Sequence, residues 1–330
     1  YNTALVRHWS DRDVFLCVPP VFHAGCANSM FTVFFLGATN VILNTANLDI
    51  IFKTIEECKV TCFLFVPTMV ITLAEHPDIK KYDLGSLKTI YYGTAPMPVA
   101  TLKRAMQTLT CNFSQTYGLT ETYVPVSILK PEDHILDGSP EEMQRLYSAG
   151  REVPGVRVRI VDDQGREVKT GEIGEITVKG DNVMKGYWNQ PELTKEALKD
   201  GWLYTGDMGR MDRLRYLYVV DRKKDMIISG GENIYAKEVE DVLAAHPAVA
   251  QAVVIGVPDD KWGESVKALI VKRKDVDTTE EEIIHFCKDR LSSYKKPKTV
   301  EFVEDFPKST AGKILKRELR QKYWEGKERK

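Results

Sequence analysis

The chain has 330 residues, enough for two domains or for one large domain with an appendage. A formal net charge of −1 provides no overall field to draw it to nucleic acid or to an anionic membrane, and neither partner is expected. With 43% hydrophobic and 28% charged residues the composition is that of an ordinary globular protein, so disorder and fibrous classes are set aside.

The chain opens on Tyr1-Asn2-Thr3, without Met and without a secretory leader, and its true N-terminus is expected upstream. Val14 to Val18, Asn40 to Leu43 and Thr61 to Val66 read as buried strands. The apolar run Met30 to Leu43, broken by Gly37 and Asn40, is too short to span a bilayer and reads as a core helix entering a core strand. Leu48 to Cys58 and Val99 to Thr108 have helical spacing, and Thr89 to Tyr92 leads into a Gly-Thr-Ala-Pro turn. Strands alternating with helices predict a mostly parallel, layered α/β sheet.

After about residue 148 the period becomes two. Val156 to Val161 and Gly174 to Val178 alternate between turn residues, which predicts antiparallel structure, a small β-barrel-like subdomain. A compact α+β unit follows, with helices at Ala236 to Ala245 and Thr279 to Leu291 and strands at Val249 to Val257, Val266 to Lys272 and Val300 to Val303. The expected division is a large domain over 1–221 (layered over 1–147, β-rich over 148–221) and a small domain over 222–330. The basic stretch from Lys308 to Lys330 reads as a solvated helix face. The six cysteines, at 17, 26, 58, 62, 111 and 287, show no paired CxxC spacing. They are read as free, mostly buried thiols in a reducing compartment, so a cytoplasmic location is expected.

Five segments hold residue types suited to phosphate, ribose or metal. Gln115-Thr116-Tyr117-Gly118-Leu119-Thr120-Glu121 offers a hydroxyl for a phosphate, a carboxylate for Mg²⁺ and a ring that can stack on a purine, although a capped turn explains it nearly as well. Asp207, after the Tyr204-Thr205-Gly206 turn, could accept hydrogen bonds from a ribose. Asp221 to Asp225, running into Ser229-Gly230-Gly231-Glu232-Asn233, coincides with the change of texture and reads as an interdomain hinge. Lys308-Ser309-Thr310-Ala311-Gly312-Lys313 is a loop of small residues before a lysine. It lacks the first glycine of a P-loop, and Ile314 follows where a hydroxyl residue is needed, so a P-loop NTPase is rejected. Phe22-His23-Ala24-Gly25 ends a strand, and a lone His there is more often structural than catalytic.

In this order and spacing the segments resemble the adenylate-forming superfamily of acyl-CoA synthetases, peptide-synthetase adenylation domains and luciferases. Gly171-Glu172-Ile173-Gly174-Glu175, Gly186-Tyr187-Trp188 and Trp202 also fall where that family has them. Phe22 to Gly25, the turn at 229–233 and Trp262-Gly263-Glu264 are similar to the acyl-CoA ligase branch.

The resemblance implies a carboxylic acid activated by ATP as acyl-AMP and passed to coenzyme A, with Mg²⁺ as cofactor and ATP and CoA as co-substrates. It implies an adenine slot of Gly93, Thr94, Ala95 and Pro96 with Tyr117, and a nucleotide–acyl junction at Gln115 and Thr116. Thr120 would meet the α-phosphate, Glu121 would hold Mg²⁺, Asp207 and Arg222 would hold ribose, and Lys313 would bridge carboxylate and phosphate. His23, Gly25, Ser29, Gly93 and Gly118 would border the acyl pocket, His23 being counted with the catalytic set. Lys224 would be the hinge of a rotating small domain, with Gly230, Gly231 and Trp262 along the CoA tunnel.

Two departures carry expectations. The family's phosphate loop lies upstream of the His segment and is absent here, so the chain by itself is expected to be inactive. Arg215 stands at a glycine position of the turn after Asp212 and is expected to strain it. Gly25 replaces an aromatic found in aryl-specific relatives, which suggests a deeper pocket and a medium- or long-chain fatty acid. An aryl acid, an acyl-carrier acceptor and a non-catalytic module are the alternatives; homodimerisation is left open.

Overall fold

The computed structural model describes residues 1–326 except 96, 124, 275, 310 and 311. By contacts the chain divides into two units, Tyr1–Met97 with Leu102–Val219, and Pro98–Thr101 with the chain from Val220 onward.

The first unit opens with helix α1 (Asn2–Arg7), strand β1 (Val14–Cys17) and helix α2 (Ala24–Phe35). Strand β2 (Thr39–Ile42), helix α3 (Leu48–Cys58), strand β3 (Cys62–Phe65) and helix α4 (Pro67–Ala74) follow. Strand β4 (Thr89–Gly93), helix α5 (Val99–Thr108) and strands β5 (Asn112–Tyr117), β6 (Ser127–Leu129) and β7 (Arg151–Glu152) come next, with the short helix α6 (Pro140–Gln144) between the last two strands. Among the described residues the strands form one sheet in the order β2-β1-β3-β4-β5-β6-β7, parallel from β2 through β5 and antiparallel at β6 and β7.

β3 is buried throughout, as the continuous run Cys-Phe-Leu-Phe requires of a parallel strand covered on both faces. α3 forms where Asn47 caps its first turn, accepting from the Ile50 N–H at 3.2 Å, and it buries Ile51, Phe52 and Ile55 on one stripe.

The run Met30 to Leu43 does not end in a core strand. β2 takes the edge of the sheet and is half-buried to exposed, because only one neighbour covers it. The cysteines also depart from expectation: Cys17 at the end of β1 and Cys26 in the first turn of α2 are disulfide-bonded. The eight intervening residues double back, which no sequence spacing announces. Cys58, Cys62, Cys111 and Cys287 are free.

The antiparallel part comprises β8 (Val156–Val161), β9 (Gly174–Gly180), β10 (Leu198–Lys199), β11 (Trp202–Met211) and β12 (Leu217–Arg222), with helix α7 (Pro191–Ala197). The sheet runs β10-β11-β9-β8 with β12 on β11, and curls around Val158, Ile176, Val178, Leu203 and Leu217. Arg215 has a left-handed backbone (φ 64°), as its place at a glycine position predicts. Its guanidinium grips Glu152 through two bonds of 2.8 and 2.7 Å, which offsets that strain.

The second unit contains β13 (Ile227–Ser229), β14 (Glu232–Ile234), α8 (Ala236–Ala244), β15 (Val249–Asp259), β16 (Gly263–Lys272), α9 (Glu280–Lys288), β17 (Thr299–Phe302) and α10 (Lys316–Trp324). Its sheet runs β14-β13-β16-β15, with β17 parallel to β16. One core joins α8 and α9 to the sheet through Val239, Leu243, Ile283 and Cys287, and a smaller one gathers Val253, Ile255, Leu269 and Phe306 with Leu319 and Tyr323 of α10. Among the described residues no helix is long and apolar enough to cross a membrane.

Candidate nucleotide and acyl site

In the first unit the predicted residues gather at the C-terminal ends of β4 and β5, where open parallel sheets bind ligands. Gly93 ends β4 in register with Thr116. A Cβ at Gly93 would overlap the Thr116 carbonyl, so only glycine lets the two strands run this close. Thr94 then takes φ 65°, a backbone conformation costly for a β-branched side chain, and its buried Oγ1 has no hydrogen-bond partner. Strain and an orphaned hydroxyl at one residue fit a position that a ligand completes. Ala95 follows half-buried, and Pro96 lies outside the described residues.

Tyr117 ends β5, and its hydroxyl donates to Asp207 Oδ2 at 2.8 Å across ninety residues of sequence. Asp207 is only 5% exposed. It is delivered by β11, whose pairing with β9 shifts register between Tyr204 and Met208. The Asp207 N–H donates to Thr205 Oγ1 at 3.1 Å, and the Gly206 N–H donates to Glu175 Oε1 at the same distance. A buried carboxylate fixed beside an aromatic ring is a set of groups suited to a nucleoside: a π-face for the base and anionic acceptors for the vicinal hydroxyls.

Gln115 is half-buried in β5, Gly118 follows the strand, and Thr120 is exposed at the head of a short 3₁₀ turn. Glu121, next in that turn, accepts from the Tyr187 hydroxyl at 2.9 Å, and its backbone carbonyl accepts from the Met184 N–H at 2.7 Å. Burial and the Glu121 carboxylate push the Tyr187 phenol up to about 12, so it stays a donor and holds Glu121 in place. Among the described residues no cluster of three or more His, Cys, Asp or Glu side chains could cage a metal. A single oriented carboxylate instead fits Mg²⁺, which is commonly held by one or two carboxylates plus substrate phosphates.

His23 is the N-cap of α2. Its Nδ1 accepts from the Gly25 N–H at 3.2 Å, which assigns the neutral ring's proton to Nε2. Gly25 and Ser29 are buried on α2, and Ser29 Oγ donates to the Gly25 carbonyl at 2.9 Å. The glycine does not open a void: a Cβ there would already lie 3.2 Å from Leu64 Cδ2 and 3.4 Å from His23 Nδ1.

The remaining predicted residues belong to the second unit and are not brought together with the first set by any described geometry. Arg222 ends β12 exposed, its N–H donating to Asp221 Oδ1 at 2.8 Å. The Lys224 carbonyl accepts from Arg320 Nη1 at 3.4 Å, while Arg320 and Asp225 pair at 2.7 Å. Gly230 and Gly231 both have positive φ (61° and 85°), and the Gly230 N–H donates to the Trp262 carbonyl at 2.8 Å. A Cβ on Gly230 would fall 2.6 Å from Trp262 Cε3, so the turn and the indole are packed as one surface, with Lys261 and Lys298 over the ring at 4.8 and 5.7 Å. Lys313 sits in a tight loop: the Ser309 N–H donates to the Lys313 carbonyl at 2.8 Å, and the Lys313 N–H donates to Ser309 Oγ at 3.2 Å.

Sequence reasoning gave Tyr187 no role, although the Gly-Tyr-Trp triplet marked its segment. Arg7 was not singled out at all; a lone arginine in a short helix carries no signal.

Residues 1–188 match the family model described as AMP-binding enzyme, and residues 238–313 match the AMP-binding enzyme C-terminal domain. The chain belongs to this AMP-binding, adenylate-forming enzyme family. It is 39% identical to a medium/long-chain-fatty-acid–CoA ligase of Mycobacterium tuberculosis, over 96% of this chain and 56% of that protein. An o-succinylbenzoate CoA synthetase from Bacillus subtilis, solved with its acyl-adenylate intermediate, superposes with a TM-score of 0.84 at 35% identity, covering 96% of this chain and 63% of the other. An amide bond synthetase from Marinactinospora thermotolerans gives a TM-score of 0.89 at 32% identity, covering 98% and 64%. The chain spans about three fifths of the length of the curated relatives it matches.

Proposed function

We propose that the protein acts in ATP-dependent activation of a carboxylic acid, as an AMP-forming acid–CoA ligase. The observation that carries this reading is the 2.8 Å contact that fixes the buried Asp207 carboxylate against Tyr117, beside the strained Thr94 with its orphaned hydroxyl. In the first half-reaction a carboxylate oxygen attacks the α-phosphorus of ATP, the bond to the leaving pyrophosphate breaks, and acyl-AMP forms. Negative charges meet in that step, so fixed donors and cations lower the barrier where a covalent nucleophile would not. Thr120 and Lys313 are assigned to the α-phosphate, Asp207 and Arg222 to the ribose, and His23 to the acyl junction. Mg²⁺ held through Glu121 would neutralise phosphate charge.

In the second half-reaction the CoA thiolate attacks the acyl carbonyl and AMP leaves. The Gly230-Gly231 turn, packed on Trp262 and flanked by Lys261 and Lys298, supports this assignment: a glycine surface beside an indole suits a pantetheine arm, and the lysines suit phosphate. A different acceptor is the second reading, favoured by the similarity to an amide bond synthetase. The acid is either fatty or aryl; the fatty-acid ligase relative supports the first and the succinylbenzoate synthetase supports the second.

Pyrophosphate release by the full-length protein, upstream phosphate loop included, measured across a panel of fatty and aryl acids with and without CoA, tests the proposal. Release that requires an acid, with thioester appearing only when CoA is added, is expected. Hydrolysis of ATP indifferent to every acid would sink it.

A further inference from the structure

Arg7 closes α1 and is buried at 7% exposure, with its guanidinium over the rings of Tyr91 and Trp9 at 4.4 and 4.8 Å. Its Nη1 donates to Ser29 Oγ at 2.9 Å and its Nη2 to Thr116 Oγ1 at 3.3 Å, while Nε has no partner. Among the described residues no carboxylate pairs with it. Burial pulls its pKa down, yet a guanidinium keeps its proton, so an uncompensated cation is held inside the first unit. Ring faces and two hydroxyls offset only part of the cost of that charge.

The location is informative. Ser29 lies on the α2 face assigned to the acyl pocket, and its hydroxyl passes on to the Gly25 carbonyl. Thr116 lies at the nucleotide–acyl junction, paired in register with Gly93, and Tyr91 is two residues earlier on the same face of β4. The guanidinium is therefore bonded to both sides of the proposed acyl wall at once. A plain hydrocarbon chain lodged there would leave the cation without a counter-charge. A carboxylate on the acyl chain would compensate it, in the planar geometry that arginine matches and lysine does not.

We propose that Arg7 is a specificity-determining residue of the acyl site, receiving a second carboxylate carried by the acid substrate, so that the enzyme activates diacids in preference to simple fatty acids. This rests on the acid-activating reading above.

The test compares, in the full-length protein, pyrophosphate release with saturated diacids, their monomethyl esters and the corresponding monoacids of equal carbon number. The diacid is expected to exceed its ester in kcat/KM by about ten- to a hundredfold, the value of one charge-assisted contact. In Arg7→Gln that ratio should collapse towards one, and Arg7→Lys should restore it only in part. Should Arg7→Gln fail to fold, the wild-type ratio decides alone. A monoacid or ester that matches or beats the diacid overturns the proposal while leaving acid activation intact. An equal loss for both acids in Arg7→Gln also overturns it, placing Arg7 on the carboxylate they share. If no acid releases pyrophosphate, the acid-activating reading falls and this proposal falls with it.

Discussion

Replacing Asp207 by Ala should weaken AMP binding by about a hundredfold, and the loss should reside in the ribose hydroxyls. Asp207 is 5% exposed and held by Tyr117 at 2.8 Å, so its carboxylate is oriented before the nucleotide arrives and little ordering is lost on binding. A hydrogen bond to a charged group is worth about 1.5–3 kcal/mol, and two vicinal hydroxyls at the lower figure give about 3 kcal/mol, or roughly two decades in Kd. Titration calorimetry with AMP and with 2′,3′-dideoxy-AMP, on wild type and variant, isolates the pair as a thermodynamic cycle. Wild type should lose most of its affinity when the hydroxyls are removed, and the variant should hardly distinguish the two ligands. An Asp207→Ala protein that still prefers AMP by two decades would refute the assignment. So would one that loses dideoxy-AMP as severely as AMP, since Asp207 would then be supporting Tyr117 or the fold.

Lys313→Ala should lower acid-dependent pyrophosphate release by about 10²–10³, the usual loss for one such electrostatic contact, while conversion of preformed acyl-AMP with CoA persists; stopped-flow assays of the two half-reactions separate these effects. Gly230→Ala must displace the Trp262 ring, and we expect about a tenfold rise in KM for CoA with pyrophosphate release from ATP and acid much less affected. His134 is buried, its Nε2 accepting from the Tyr92 hydroxyl at 3.0 Å and its Nδ1–H donating to the Lys130 carbonyl at 2.8 Å. Burial depresses its pKa from 6.5 to about 4. Above pH 6.5 the ring is neutral whether folded or unfolded and contributes no pH dependence. Between 6.5 and 4 the unfolded chain takes the proton and the folded chain resists it, so stability should fall by about 3 kcal/mol as pH drops through that window. Urea unfolding should show the slope, and His134→Gln should flatten it.

Much of the fold was written in local patterns. Leu48–Cys58 and Val99–Thr108 stand at the helical limits their periodicity predicts, and Val156–Val161 is a strand over the span its alternation marks. Position within the sheet was not legible: Met30 to Leu43 is apolar enough for a core strand, yet its strand lies at the edge, because strand order is set by long-range pairing. The Cys17–Cys26 bond was hidden for the same reason. Within the site, residue types at Tyr117, Glu121 and Asp207 pointed to nucleotide chemistry, but the bond from Tyr117 to Asp207 depends on a register shift in β11 that leaves no mark in composition. The surroundings of Gly25 were not legible either, since the approach of Leu64 to within 3.2 Å of a Cβ built there is set by β3 packing on α2. Arg7 gave no sign, because its contacts with Ser29 and Thr116 are made across 22 and 109 residues of sequence.

The central claim is that a carboxylate oxygen attacks the α-phosphorus of ATP. Substrate acid labelled with ¹⁸O in its carboxylate, turned over to completion with ATP and CoA, tests this by mass spectrometry of the products. One labelled oxygen in each AMP is the predicted result; label in inorganic phosphate, with ADP as the nucleotide product, would contradict it.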